Sequence, residues 1–174
     1  MRKETYPNAK GWGRLGMLLI KLGQFNKAQV VYDILLDKAT TDREKAFNYH
    51  QLGWVKADQG EYVNAIAYYK QSIEIKQKIL SSTDADLAAS YNDIGSVYSK
   101  MDDYSNALSY YQEALEIKQK TLPSNHPRLA TSYNKIGWVY RNMGNYPNAV
   151  SFYERALDIQ QRSLPPDHPH LKGR

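Results

Sequence analysis

Residues 133–171 read YNKIGWVYRNMGNYPNAVSFYERALDIQQRSLPPDHPHL, and close copies of this stretch precede it in the chain. Tyr91 begins YNDIGSVYSKMDDYSNALSYYQEALEIKQKTLPSNHPRL, an offset of 133 − 91 = 42 residues. Tyr49 begins a third copy, again 42 residues earlier, and Trp12 begins a divergent fourth copy 37 residues before Tyr49. Self-similarity at a fixed period of this length is typical of repeat proteins in which each copy is one supersecondary unit.

Each copy carries the pattern of two helices. Tyr133, Ile136, Gly137 and Tyr140 recur at spacings of three and four residues, which places them on one helical face. After a turn around Met143–Tyr146, a second face of the same kind follows. A glycine occupies the middle of each first helix, where it costs about 1 kcal/mol relative to alanine. The repeated penalty predicts a close approach by the second helix, which has an alanine at the matching place; these residues are Gly16, Gly53, Gly95 and Gly137, and Ala28, Ala65, Ala107 and Ala149.

The two helical faces resemble those of the tetratricopeptide repeat. The 42-residue period, the long second helix and the LPxxHP connector are similar to the kinesin-light-chain type of this family. The resemblance implies an all-α fold, a right-handed α-solenoid of antiparallel helix pairs. It would comprise a single array over residues 8–171, with repeats at about 8–40, 41–82, 83–124 and 125–166, and residues 167–174 as the truncated start of a further repeat.

The connectors bear on whether the protein is an enzyme. SLPPDHPHLKGR contains Asp167, His168 and His170, residue types that could form a metal site or a catalytic cluster. However, residues 42 apart in the connectors are all helix-capping types, namely Thr41, Thr83, Asn125 and Asp167. Pro127 and Pro169 then fall in the first turn of a helix, where proline is tolerated. These positions are therefore predicted to be N-caps, with Glu44 completing a capping box and Asp86 a near relative of one, and the histidines to have no catalytic or metal role.

Composition excludes several other functions. The chain has 174 residues, no cysteine and a net charge of +5, with lysine and arginine scattered among acidic residues. No nucleotide-binding, zinc-protease or nucleophile-elbow motif occurs, and the carboxylates on the second helices have the spacing of a solvated surface. We therefore expect no enzyme, metal or cofactor, no nucleic-acid or membrane partner, and a cytoplasmic location.

The resemblance implies that the first helix of each pair lines a concave groove. Here we expect Asn92 and Asn134, with His50 as a partial continuation, to bond the backbone of an extended peptide, because an amide both donates and accepts. The alternative is that these asparagines are solvated or bond neighbouring helices. Trp54 and Trp138 share a register and would frame side-chain pockets, or else pack on the next repeat. Lys100, Lys135 and Arg141 favour an acidic peptide. The predicted groove comprises His50, Trp54, Asn92, Ser96, Lys100, Asn134, Lys135, Trp138 and Arg141.

Three functional hypotheses follow. The first is a protein-interaction scaffold or adaptor that binds an extended segment of a partner in this groove. The alternative is a regulatory or targeting array of a larger multidomain protein, since residues 164–171 begin a repeat that LKGR interrupts and neither end carries a polar capping helix. The third is self-association through these uncapped ends.

Overall fold

The computed structural model describes residues 9–163 of the chain, and over this range it is entirely helical outside the turns and connectors. The predicted all-α fold class of adjacent antiparallel helix pairs is confirmed. The boundary between two compact units falls between Leu80 and Ser81. The first unit contains α1 (Ala9–Lys21), α2 (Phe25–Asp37), α3 (Asp42–Asp58) and α4 (Tyr62–Ile79). The second contains α5 (Ala85–Lys100), α6 (Tyr104–Thr121), α7 (Pro127–Asn142) and α8 (Tyr146–Ser163).

The helices pack in the order of the chain. Each odd-numbered helix packs against the next helix, and the two pairs within a unit are joined by α2 against α3 in the first unit and α6 against α7 in the second. The core of the second unit includes Tyr111 and Leu115 from α6, Ile136 and Val139 from α7, and Ile159 from α8. Burial of such apolar side chains, at roughly 25 cal/mol per Å², is the main stabilising term of each unit. None of the helices between residues 9 and 163 is both long and apolar enough to cross a bilayer.

Within every pair, a tyrosine ring of the second helix lies directly on the glycine of the first. A Cβ added to the glycine would come 2.6–2.9 Å from a ring carbon sixteen residues further along the chain. The contact pairs are Gly16–Tyr32, Gly53–Tyr69, Gly95–Tyr111 and Gly137–Tyr153. The predicted close approach is therefore confirmed, and its partner is chiefly the tyrosine. The carbonyl oxygens of Ala107 and Ala149 also lie within 3.3 Å of the added atom in the last two pairs.

The turn between the two helices of a pair needs one residue with positive φ. Gly23, Gly60 and Gly144 adopt φ values of +68°, +78° and +74°, a conformation that costs glycine little. The third turn has Asp102 at this position, with φ of 58°. Its carboxylate accepts a hydrogen bond from the Tyr104 hydroxyl at 2.7 Å, so a side-chain contact offsets part of the backbone strain.

The helix caps agree with the sequence prediction at one connector and differ by one residue at two others. Thr41 caps α3 in a capping box with Glu44, as predicted. The cap of α5 is Asp84 rather than Thr83, and the cap of α7 is His126 rather than Asn125. The reason at α7 is steric, because a residue before proline is held in the extended region, and Pro127 therefore begins the helix with His126 as its N-cap. The predicted cap Asp167, together with His168 and His170, lies outside the described residues.

His126 thus has a structural role, because its side chain makes the N-cap hydrogen bond of α7. Its Nδ1 atom accepts the backbone N–H of Arg128 at 3.1 Å, and Asp84 Oδ1 accepts that of Asp86 at 2.8 Å. Replacing His126 by alanine should lower the free energy of unfolding by about 1 kcal/mol, as measured by urea denaturation, because an N-cap bond is lost. His126→Asp should retain most of it. Asn125→Ala is the matched control, and a larger loss from that variant would mean that Asn125 is the cap.

The glycine–tyrosine contact gives a second prediction. Gly53→Ala should lower the melting temperature, since a Cβ would lie 2.7 Å from a ring carbon of Tyr69, a residue that is only 3% exposed. Overpacking of this kind costs about 1–3 kcal/mol, which exceeds the gain of about 1 kcal/mol in helix propensity. Gly13→Ala in α1 is the control, because a Cβ there meets no atom within 4 Å. It should raise the melting temperature, and equal effects of the two substitutions would contradict the packing argument.

Candidate functional site

The predicted groove residues lie on the first helix of their pairs. In the first unit, His50 and Trp54 lie one turn apart on α3. The His50 ring is half-buried against Tyr69, with 5.2 Å between ring centroids, whereas Trp54 is 44% exposed. The histidine therefore packs on the same tyrosine that contacts Gly53, and the indole is available to a partner.

In the second unit, the structure brings residues of α5, α6 and α7 together around one lysine. Lys135 Nζ donates to Asn92 Oδ1 at 3.0 Å and approaches Ser96 Oγ at 3.5 Å. It also lies 5.4 Å from the centroid of the Tyr111 ring, a cation–π distance. The Tyr111 hydroxyl is 3.0 Å from Ser96 Oγ. We call Asn92, Ser96, Tyr111 and Lys135 the lysine cluster.

The contacts within the lysine cluster limit which of the predicted side chains can bond a ligand. The Asn92 amide oxygen is already used by Lys135, and Ser96 Oγ donates to the backbone carbonyl of Asn92 at 3.0 Å. Asn134 holds the matching register on α7, is half-buried, and has no side-chain hydrogen bond to any residue between 9 and 163. Of the two asparagines predicted to line the groove, Asn134 is thus the one whose amide is left for a ligand.

The electrostatics of the cluster are set by burial. Burial lowers the pKa of the Lys135 ammonium, because a charged amine loses hydration there, and the Asp93 carboxylate partly opposes this effect. Lys118 on α6 behaves similarly: burial lowers its pKa most, and the positive charges of Lys135 and Arg128 lower it further. Lys118 Nζ donates to Ser132 Oγ at 2.8 Å. The ammonium groups of Lys118 and Lys135 are therefore both partly dehydrated, and they lie close enough for the charge of Lys135 to lower the pKa of Lys118.

A depression of about 380 Å³ adjoins the cluster. It is lined by one tyrosine of α6 and by four residues of α7 that follow the helical spacing of three, four and seven from the first of them. These residues are Tyr111 on α6, and Thr131, Asn134, Lys135 and Trp138 on α7. The Trp138 indole is 41% exposed, and its ring meets Tyr104 edge-to-face at 6.0 Å between centroids. The indole therefore packs on the preceding helix, not on the next repeat, and its exposed part forms one wall of the depression.

Some site residues were missed by the sequence analysis, and some predicted residues lie apart. Tyr111 and Thr131 were missed, although the spacing of Thr131 from Asn134 and Lys135 places it on the same face of α7. Lys100 and Arg141 are exposed near the ends of α5 and α7 and do not line the depression. Over residues 9–163 there is also no group of three or more metal-ligating side chains.

The geometry defines a class of protein: helical hairpins that present a polar, aromatic-lined surface on their first helices. The sequence profile of the tetratricopeptide repeat family matches residues 8–78 and 86–169. The chain therefore belongs to the tetratricopeptide repeat family, with repeats of the kinesin-light-chain-like type. This family generally provides modules for protein–protein interaction. No curated protein sequence matches the chain.

Solved structures give the same fold. A kinesin-light-chain-type repeat protein of Podospora anserina superposes with a TM-score of 0.78 at 22% identity, covering 93% of this chain and 79% of that one. BtubC from P. vanneervenii gives 0.81 at 20% identity, covering 95% and 70%. MamA gives 0.70 at 24% identity, covering 89% and 80%. These likenesses establish the fold, an α-solenoid of tetratricopeptide helix pairs.

The dehydrated lysine predicts a pH dependence of stability. The Lys135 ammonium has an ordinary pKa of 10.5 in the unfolded chain and a lower one in the folded protein. Between these two values the unfolded chain binds more protons, so the free energy of unfolding should rise as the pH approaches 10.5 from below. Lys135→Met should flatten this rise. The measurement is urea denaturation at pH values from about 8 to about 10.

Tyr32 sets the upper limit of the pH range. Burial raises the pKa of its hydroxyl to about 12, so above the ordinary value of 10.0 the unfolded chain loses this proton first and the free energy of unfolding falls. Lys100→Met provides the control, since Lys100 is exposed. It should leave the pH dependence of the unsubstituted chain in place. An unchanged slope in Lys135→Met would show that desolvation of this lysine does not affect stability.

Proposed function

We propose that this protein is a non-catalytic interaction scaffold whose second unit binds an extended, acidic segment of a partner protein. The binding surface is the depression lined by Asn134, Lys135 and Trp138 together with the adjoining lysine cluster. Membership of the tetratricopeptide repeat family supports the general role. The residues that line the depression, together with the lysine cluster, support the particular ligand.

The observation that carries the proposal is the side-chain amide of Asn134, which has no hydrogen bond to any residue from 9 to 163, beside the exposed indole of Trp138 in the lining of the depression. A peptide backbone offers an N–H and a C=O at every residue, and one amide side chain can satisfy both. The indole offers apolar area next to this bond, which is the combination found in binding hot spots. Together they would hold one residue of the ligand through its backbone and its side chain.

The charge of the ligand follows from the lysines. The positive charge of Lys135 acts unfavourably on the Lys118 ammonium in a partly dehydrated region, and the Asp93 carboxylate acts favourably on both lysines. A glutamate or aspartate from a ligand would add a second favourable charge, and charge-assisted hydrogen bonds are stronger than neutral ones. Acidic segments are therefore expected to bind better than neutral segments of the same length.

The first unit carries a related pair of residues. His50 and Trp54 occupy the registers of Asn134 and Trp138, 84 residues earlier. The exposed Trp54 would take an apolar side chain, while the His50 ring, which is tilted against the ring of Tyr69, would form one edge of that contact. We assign this pair to the same function, as a second side-chain site.

The test is a selection of twelve-residue peptides from a phage-displayed library, followed by fluorescence anisotropy on the enriched sequences. We expect acidic sequences to be enriched. The Asn134→Ala, Trp138→Ala double substitution should weaken their binding by about tenfold or more, as expected for loss of a hot spot. Lys135→Met should selectively weaken acidic peptides and reduce the salt dependence of their binding.

Gln112→Ala, an exposed position on α6 outside the depression, is the matched control and should leave the affinity unchanged. Circular dichroism should show the same helicity for every variant. If the enriched peptides bound the double variant as tightly as the unsubstituted chain, the proposed surface would be wrong. If neutral peptides were enriched and Lys135→Met had no effect, the surface could stand but the acidic preference would not.

A further inference from the structure

Two helix faces expose apolar side chains at registers that are buried in the other repeats. On α1, Leu15 is 39% exposed and Leu18 is 52% exposed. The residues at the same registers of the later first helices are at most 2% exposed; they are Leu52 and Val55, Ile94 and Val97, and Ile136 and Val139. The exposure of α1 is therefore a property of this repeat rather than of the register.

The last helix shows the complementary pattern. On α8, Tyr146 is 64% exposed, Val150 is 53% exposed and Leu157 is 45% exposed. The matching residues of α6, 42 positions earlier, are covered by α7: Leu115 is 7% exposed, while Tyr104 and Leu108 are partly buried against the core of the second unit. The α8 face thus has the side chains of a helix that packs on another helix.

These faces are the two halves of a junction that already exists within each unit. In the second unit α6 packs on α7, and in the first unit α2 packs on α3. The α8 face repeats that of α6, and the α1 face repeats that of α7. We propose that α1 of one copy of this chain docks on α8 of a second copy, so that the molecules associate head-to-tail by continuing the junction between repeats.

Individual side chains fit this junction. Met17 of α1 holds the register of Trp138, and Tyr146 of α8 holds that of Tyr104. At the junction between copies, a contact between the Met17 thioether and the Tyr146 ring would therefore stand where Tyr104 and Trp138 meet within the second unit. Arg14 holds the register of Lys135, and Tyr153 that of Tyr111. The cation–π pair seen at 5.4 Å in the second unit is thereby reproduced between copies.

A head-to-tail contact uses different surfaces on the two copies, so each molecule keeps one face for a further copy. This association is independent of the peptide-binding function proposed above. Because it joins one face of a single helix pair to another, it is expected to be weak and to depend on concentration.

Sedimentation equilibrium on the full chain tests the proposal. The weight-average mass should rise at least about twofold between about 5 μM and about 500 μM. Leu18→Glu on α1 and Leu157→Glu on α8 should each leave a monomer with unchanged helicity, since both positions are already exposed. An equimolar mixture of these two variants should form a one-to-one dimer that grows no further, because one intact face of each kind remains.

Val63→Glu is the matched control, since Val63 is an apolar residue of α4 that is 73% exposed and lies on neither face. It should associate like the unsubstituted chain. A monomer at every concentration, a mixture that stays monomeric, or loss of association in Val63→Glu would each overturn the proposal. In the monomeric case, protection of Met17 from peroxide oxidation at low concentration would show that flanking residues of the same chain cover α1 instead.

Discussion

The contact between a mid-helix glycine and a tyrosine ring sets the distance between the two helices of every pair. Without a side chain on the first helix, the ring of the second can lie on its backbone, and a Cβ would meet that ring at less than 3 Å. All four pairs make this contact at a separation of sixteen residues. The helix propensity lost at each glycine is about 1 kcal/mol, and it is offset by burial of a large amphipathic ring.

The same contact determines where the site can form. Tyr111 packs on Gly95 through its ring, and its hydroxyl reaches Ser96 while the ring face receives Lys135. One tyrosine therefore supports both the pair and the cluster. Its position explains why a lysine is tolerated in a half-buried setting: the ring, the Asn92 amide and the nearby Asp93 carboxylate partly replace the water that the ammonium loses.

Much of the fold was predictable from the sequence because its signals are local. The glycine, alanine and tyrosine registers are each visible within one repeat, and the 42-residue period is visible when neighbouring copies are compared. The caps at Asp84 and His126 were missed because the 42-residue register that starts at Thr41 points to Thr83 and Asn125. Aspartate caps a helix at least as well as threonine, and the backbone constraint of Pro127 decides where α7 begins. The bond between Lys135 and Asn92 joins residues 43 apart on different helices, and no sequence periodicity specifies which side chains meet across that junction. The sequence predicted which helix faces carry the candidate residues, but not the contacts that these residues make with one another.

The aspartate in the third turn has a consequence beyond the turn itself. Asp102 takes a conformation that glycine adopts in the other three turns, and its carboxylate holds the Tyr104 hydroxyl at 2.7 Å. That bond raises the pKa of Tyr104 and fixes the ring whose edge contacts Trp138. The backbone strain at Asp102 is thus linked, through the phenol of Tyr104, to the Trp138 indole that lines the depression. Such a link amounts to preorganisation, since an indole that is already oriented loses less side-chain entropy when a ligand settles against it.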